Sequence, residues 1–95
     1  MTAYLIARVE VTDPVKYENY KALSPAALAA FGGRFIVRGG AHETLEGPEE
    51  TRRLVVVEFP SLEQAKACYH SAQYQAAKAE REGAADMQMV VVKGA

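Results

Sequence analysis

The segment from Arg52 to Gln75 constrains this chain more than any other. Leu54 to Phe59 is β-branched and aromatic with one charge, Glu58, set inside it, and reads as a strand. Pro60 cannot donate a ladder hydrogen bond, so the strand stops there. Ser61 follows as a helix N-cap, with Gln64 placed to complete a capping box. Leu62, Ala65, Cys68, Tyr69 and Ala72 share one helical stripe, and that phase fails after His70. Tyr74, Ala77 and Arg81 take up a different stripe, so a second helical start capped by Ser71 is expected.

The remaining elements follow from periodicity. Tyr4 to Val11 alternates strictly, with Leu5, Ala7, Val9 and Val11 on one face and Tyr4, Ile6, Arg8 and Glu10 on the other. Asp13 and Pro14 supply a cap and a first helical residue. The helix that follows carries a stripe of Val15, Asn19, Leu23, Ala26, Ala27, Ala30 and Phe31, with Tyr20 near its edge. Pro25 predicts a kink or break near Ser24. Gly32-Gly33 ends this helix. Arg34 to Arg38 is a short strand before a bulge or bend at Gly39-Gly40. Residues 41–46 read as a weak strand continuation, residues 47–50 as an exposed turn, and Asp86 to Lys93 as the last strand.

The order β-α-β-β-α-β predicts an α+β, ferredoxin-like domain over residues 1–95, a four-stranded antiparallel sheet with both helices on one face. Strict alternation turns Leu5, Ala7, Val9, Phe35, Val37, Val55, Val57, Phe59, Val90 and Val92 toward the helices. It leaves Tyr4, Ile6, Arg8, Ile36, Arg38, Leu54, Val56, Met87, Met89 and Val91 on the opposite face. That face is too apolar for water, and a second copy packed on it would give a homodimer with a barrel-like interior.

Composition narrows the partners. A net charge of −1 from 11 basic and 12 acidic residues argues against a nucleic-acid or anionic-membrane surface. No apolar run approaches the ~20 residues that span a bilayer. The single cysteine excludes an internal disulfide and fits a cytoplasmic location. His42 and His70 lack ligand partners at metal-site spacing, so neither metal nor cofactor is expected. Cys68 lies on a core stripe and reads as a small buried hydrophobe.

By parity Arg8, Arg38 and Glu58 share the uncovered face. They form either an ion network that fixes subunit register or a pocket for a small anionic molecule. In the pocket reading Glu58 and Arg38 are catalytic, as acid or base and as anion grip, and Arg8, Tyr20 and His42 bind substrate. Tyr17, Tyr20, Tyr69 and Tyr74 could line a cavity between helices and sheet, although such tyrosines more often pack at a boundary with a wet hydroxyl.

The patterns Gly32-Gly33-Arg34-Phe35, Val37-Arg38-Gly39-Gly40, Val57-Glu58-Phe59-Pro60-Ser61 and Tyr69-His70-Ser71-Ala72-Gln73-Tyr74 resemble the domain of unknown function family numbered 1330, over nearly the whole chain. Ala72 stands where that family often has proline, and no tryptophan is present. The resemblance implies the dimeric α+β barrel superfamily. It suggests a cofactor-independent enzyme of isomerase or monooxygenase type. The Asn–Trp–His and Asn–Trp–Tyr sets of some superfamily oxygenases cannot be assembled without tryptophan. The alternatives are a non-catalytic small-ligand binding module and a structural dimer domain.

Overall fold

A computed structural model describes residues 1–95. The elements are β1 (Ala3–Val11), α1 (Pro14–Ala29), β2 (Arg34–Arg38), β3 (Arg53–Phe59), α2 (Leu62–His70), α3 (Ala72–Ala79) and β4 (Ala85–Lys93). The sheet order is β2-β3-β1-β4 with every pair antiparallel. The helices cover one face of this ferredoxin-like sheet. The core between them holds Leu5, Ala7, Val9, Val57, Phe59, Tyr17, Tyr20, Leu28, Cys68 and Tyr74. No helix is long and apolar enough to cross a membrane.

The three N-caps form as the sequence dictates. Asp13 accepts from the Lys16 amide at 3.1 Å, and Ser61 from the Gln64 amide at 3.1 Å. Ser71 accepts from the Tyr74 amide at 3.1 Å and donates its hydroxyl to the Cys68 carbonyl at 2.6 Å. One side chain thus ends α2 and starts α3, which is why the apolar phase shifts there.

Four expectations need correction. Helix α1 runs unbroken through Pro25. Proline removes only the donor that would have reached the Lys21 carbonyl. Ser24 and Leu28 on either side, 4% and 5% exposed, hold the helix on the sheet. The buried stripe of α1 is Tyr17, Tyr20, Ser24, Ala27 and Leu28, whereas Val15 and Leu23 are 83% and 47% exposed. Small alanines on several sides of α1 leave its periodicity ambiguous, and the large tyrosine rings offer more area to bury. Residues 41–46 form no strand.

The fourth correction concerns faces. Met89 pairs with Ala7 and Val91 with Leu5, so Met87, Met89 and Val91 lie under the helices. Val90 and Val92 face outward, 44% and 47% exposed. Both parities of β4 are apolar, so only pairing decides. In β2 the register shifts between Phe35 and Val37, where Ile36 is the extra residue. Phe35 pairs with Val57, Val37 with Val56, and Arg38 with Val55. The bulge turns Val37 outward and Arg38 to the helix side of the sheet, where it stays exposed at the edge of the first cavity, the reverse of strict alternation.

At the end of α1, Gly32 takes φ 80° and the Gly33 amide bonds the Leu28 carbonyl at 2.8 Å. A methyl on Gly33 would meet that carbonyl at 2.8 Å and the Phe59 ring at 2.9 Å. Gly33→Ala is therefore expected to lose about 1–3 kcal/mol in urea unfolding. Gly40→Ala, where an added methyl meets nothing within 4 Å, should stay within about 0.5 kcal/mol of the parent.

Candidate functional site

Between α1, α3 and the sheet lies a cavity walled by Leu5, Ala7, Val9, Leu28, Val55, Val57, Met87 and Met89. Its polar groups come from Tyr17, Tyr20, Ser24, Tyr74, Lys21, Arg38 and Arg53. Its enclosed volume is about 40 Å³, against the ~10–15 Å³ that one water requires. With its mouth included, the free volume is about 490 Å³. The enclosed part is thus small, and the apolar walls dominate it.

The tyrosines form one assembly. The Tyr20 and Tyr74 hydroxyls share a hydrogen bond of 2.6 Å that ties α1 to α3. Tyr17 packs on Tyr20 at 5.4 Å between ring centroids, and the Arg81 guanidinium lies 5.2 Å from the Tyr20 ring centre. Burial, aided by the neighbouring Tyr74 hydroxyl, pushes the Tyr20 phenol well above its usual pKa. Burial raises Tyr17 as well, although Arg53, Arg81 and Arg38 pull it down. Tyr17 and Tyr20 therefore stay protonated at neutral pH and serve as donors.

The cations around them lack acidic partners. The ion pairs of the structure engage Arg8, Lys21, Arg34, Arg52 and Lys78. Arg38, Arg53 and Arg81 belong to none of them. Arg38 lies over the Phe35 ring at 4.2 Å. Two buried side-chain polar atoms have no partner, Arg53 Nε and Arg81 Nε. Gly39, at φ 72°, makes room for this: a methyl there would strike the Arg53 guanidinium at 2.6 Å. No carboxylate or imidazole lines the cavity.

The residues singled out from the sequence divide into separate places. Arg38 and Tyr20 meet in the cavity. Glu58 is on the other face of the sheet, opposite Tyr4 and Arg34, with its Oε1 3.3 Å from Arg34 Nη2. The expected pairing of Arg38 with Glu58 on one face is thus corrected by the bulge at Ile36. Arg8 and His42 are drawn instead to Glu50. Arg8 Nε donates to Glu50 Oε2 at 3.1 Å, and His42 Nε2 is 2.9 Å from the Glu50 carbonyl oxygen. Arg52 donates to the Glu50 carboxylate through its own amide at 3.0 Å and through its guanidinium at 2.9 and 3.1 Å. These bonds, with Arg8 beyond them, hold the Glu50 carboxyl down at about 2. Sequence reasoning placed Glu50 in an exposed turn, and nothing local signalled its partners. Arg53, Arg81 and Lys21 were also missed. The Arg53 position pairs with Val9 of β1, so strand parity carried a usable signal for it.

A second cavity of about 190 Å³ lies between α2 and β4. Leu5, Ala65, Tyr69, Met89, Val90 and Val91 wall it, with Lys66 and His70 at its rim. Cys68 is buried, its Sγ 3.5 Å from the Ala27 carbonyl, and burial raises its thiol to about 11. It is a packed hydrophobe, not a thiolate. No group of three or more His, Cys, Asp or Glu side chains converges.

Residues 2–95 match the family model described as Domain of unknown function (DUF1330). The fold resembles a protein of unknown function from Rhodopseudomonas palustris at TM-score 0.73 and 19% identity, covering 99% of this chain and 82% of that one. It also resembles a dimeric ferredoxin-like protein of unknown function from Jannaschia sp. CCS1 at TM-score 0.70 and 13% identity, covering 99% and 100%. A third similar structure is SnoaB, a cofactor-independent oxygenase from Streptomyces nogalater, at TM-score 0.64 and 11% identity, covering 99% and 93%. A search of curated proteins finds no match.

The raised Tyr20 pKa gives alkaline pH a definite sign. Its folded value lies above the unfolded value of about 10, so its contribution to stability is full below that pH and is lost as pH rises beyond it. Thermal melts between about pH 8 and 11 should show falling stability above about pH 10. Tyr20→Phe should be less stable at neutral pH by about 1–2 kcal/mol, because it strands the Tyr74 hydroxyl. The same variant should show a shallower alkaline slope, and an unchanged slope would contradict this account of the pair.

Proposed function

For this chain, which belongs to the DUF1330 family, we propose that the cavity under the helices binds a small organic anion and stabilises its negative charge. One observation carries the reading: Arg38 and Arg53 face an apolar cavity with no carboxylate beside them. Arg53 is half-buried with its Nε unpartnered, while Arg38 stands exposed at the mouth. Burying part of a guanidinium without a counter-charge costs free energy, and an anionic ligand offsets that cost. Arginine suits the task because its planar fork grips a carboxylate or enolate through two bonds. The apolar walls then enclose the carbon body.

The cavity supplies cations and protonated phenols and contains no general base. A reaction there runs on charge the ligand brings, as an enolate or phenolate whose oxygen the arginines and tyrosines stabilise. That chemistry is compatible with a cofactor-independent enzyme of isomerase or monooxygenase type, and the structurally similar SnoaB is described as a cofactor-independent oxygenase. Without turnover the same site is a binding module.

The subunit is proposed to act as a homodimer through the uncovered sheet face. Ile36, Val37, Val90 and Val92 there are 40–47% exposed, beside Ile6, Leu54 and Val56. The Jannaschia neighbour is described as dimeric. Burying this face against a second copy removes a contiguous apolar patch from water.

Calorimetry with phenylacetate and its uncharged amide tests the site. The parent should bind the acid and not the amide, and Arg38→Met or Arg53→Met should weaken the acid about tenfold or more. Neither variant strands a carboxylate, so Arg38→Met should melt no lower than the parent; a large loss of stability would assign Arg38 a structural role. For the dimer, sedimentation of the parent should give twice the subunit mass at micromolar concentration. Val56→Asp should yield unfolded or aggregated protein. A folded parent monomer would exclude the interface.

A further inference from the structure

Leu5 and Met89 line both cavities. A side chain that lines two cavities is a wall between them. Leu5 is 4% exposed on β1, and Met89 stands on the neighbouring β4 opposite Ala7. The helices complete the wall from above. Tyr74 lines the first cavity and Tyr69 the second, and their rings lie 5.5 Å apart at 37°. The guanidiniums of Arg38 and Arg53 sit on the first cavity alone, whereas a second space of similar free volume, about 500 Å³ against 490 Å³, lies beyond the wall.

The partition is not uniform. Leu5 is branched and packed in the core, and Tyr74 is held by its hydroxyl bond to Tyr20. Met89 has an unbranched thioether with three rotatable bonds, and it is the member least bound to one conformation.

Resting on the anion-binding reading above, we propose that Met89 is a specificity-determining residue that limits the length of a monocarboxylate held by Arg38 and Arg53. With Met89 in place the ligand ends at the Leu5–Met89–Tyr74 wall. With a shorter side chain at this position the apolar tail of a longer acid passes into the space beside Ala65, Tyr69 and Val91. The preferred ligand of the parent is then a short acid with a compact apolar body, not a fatty acid.

The test is calorimetric binding of phenylacetate, phenylpropanoate, phenylbutanoate and phenylhexanoate to the intact protein. The parent should bind the short members and lose affinity at the long end. Met89→Ala should gain about tenfold for phenylhexanoate, the worth of roughly two buried methylenes, with phenylacetate little changed. Met89→Val, whose branched side chain suits a strand, repeats the test if the alanine variant unfolds. Met89→Leu keeps the volume and should keep the parent profile. A parent profile that is flat or rises with chain length overturns the proposal. So does a shortened variant that keeps the parent's cut-off, and in both cases the anion site stands. If the parent binds none of these acids, the anion-binding reading falls and this inference with it.

Discussion

The pairing of β1 with β3 on one side and β4 on the other sets everything beneath the helices. Leu5, Ala7 and Val9 are almost wholly buried. Their partners across the ladders, Val57, Val55 and Arg53 on one side and Val91, Met89 and Met87 on the other, must face the same way. A slip of one residue in either ladder would carry every one of these side chains to the other face. Burial of the β1 face therefore fixes the register, and the register brings Arg53 and Met89 to the cavities.

The edge strand β2 departs from this rule once, and the departure reaches the site. An extra residue at Ile36 leaves Phe35 over the core and turns Arg38 inward to join Arg53. Gly39 follows in a left-handed conformation, its amide bonded to the Leu54 carbonyl at 2.8 Å and its missing side chain leaving space for the Arg53 guanidinium. The bulge and the glycine act together: one aims Arg38, the other admits Arg53. On the far face Glu58 is left to Arg34, and Glu50 gathers Arg8, Arg52 and His42. Glu58 and Glu50 are thus engaged away from the cavity, and although Lys21 at its wall pairs with Glu18, the guanidiniums of Arg38 and Arg53 have no carboxylate partner.

The helices add donors to that charge. Tyr20 from α1 and Tyr74 from α3 meet because Ser71 restarts the chain between α2 and α3 and rotates the stripe of α3 onto α1. Burial keeps Tyr17 and Tyr20 protonated. An apolar cavity with phenol donors and guanidiniums favours anions over neutral ligands, and the Leu5–Met89 wall bounds what fits.

Most element types and limits were legible in the sequence because they depend on local chemistry, the exceptions being the break expected near Ser24 and the strand expected over residues 41–46. Asp13, Ser61 and Ser71 cap through their own side chains, Pro60 stops a strand by lacking a donor, and Gly32 ends a helix by tolerating positive φ. The order of elements and the α+β class followed from those signals. Tertiary structure alone decided which way ambiguous residues point. Both parities of β4 are apolar, so Met87, Met89 and Val91 went under the helices only through pairing with β1. Helix α1 carries alanines on several sides, so its tyrosines were buried in preference to Val15 and Leu23 only when set against the sheet. Arg38 was parted from Glu58 by a bulge whose cause is the match between two strands, a relation between distant residues that no local pattern contains.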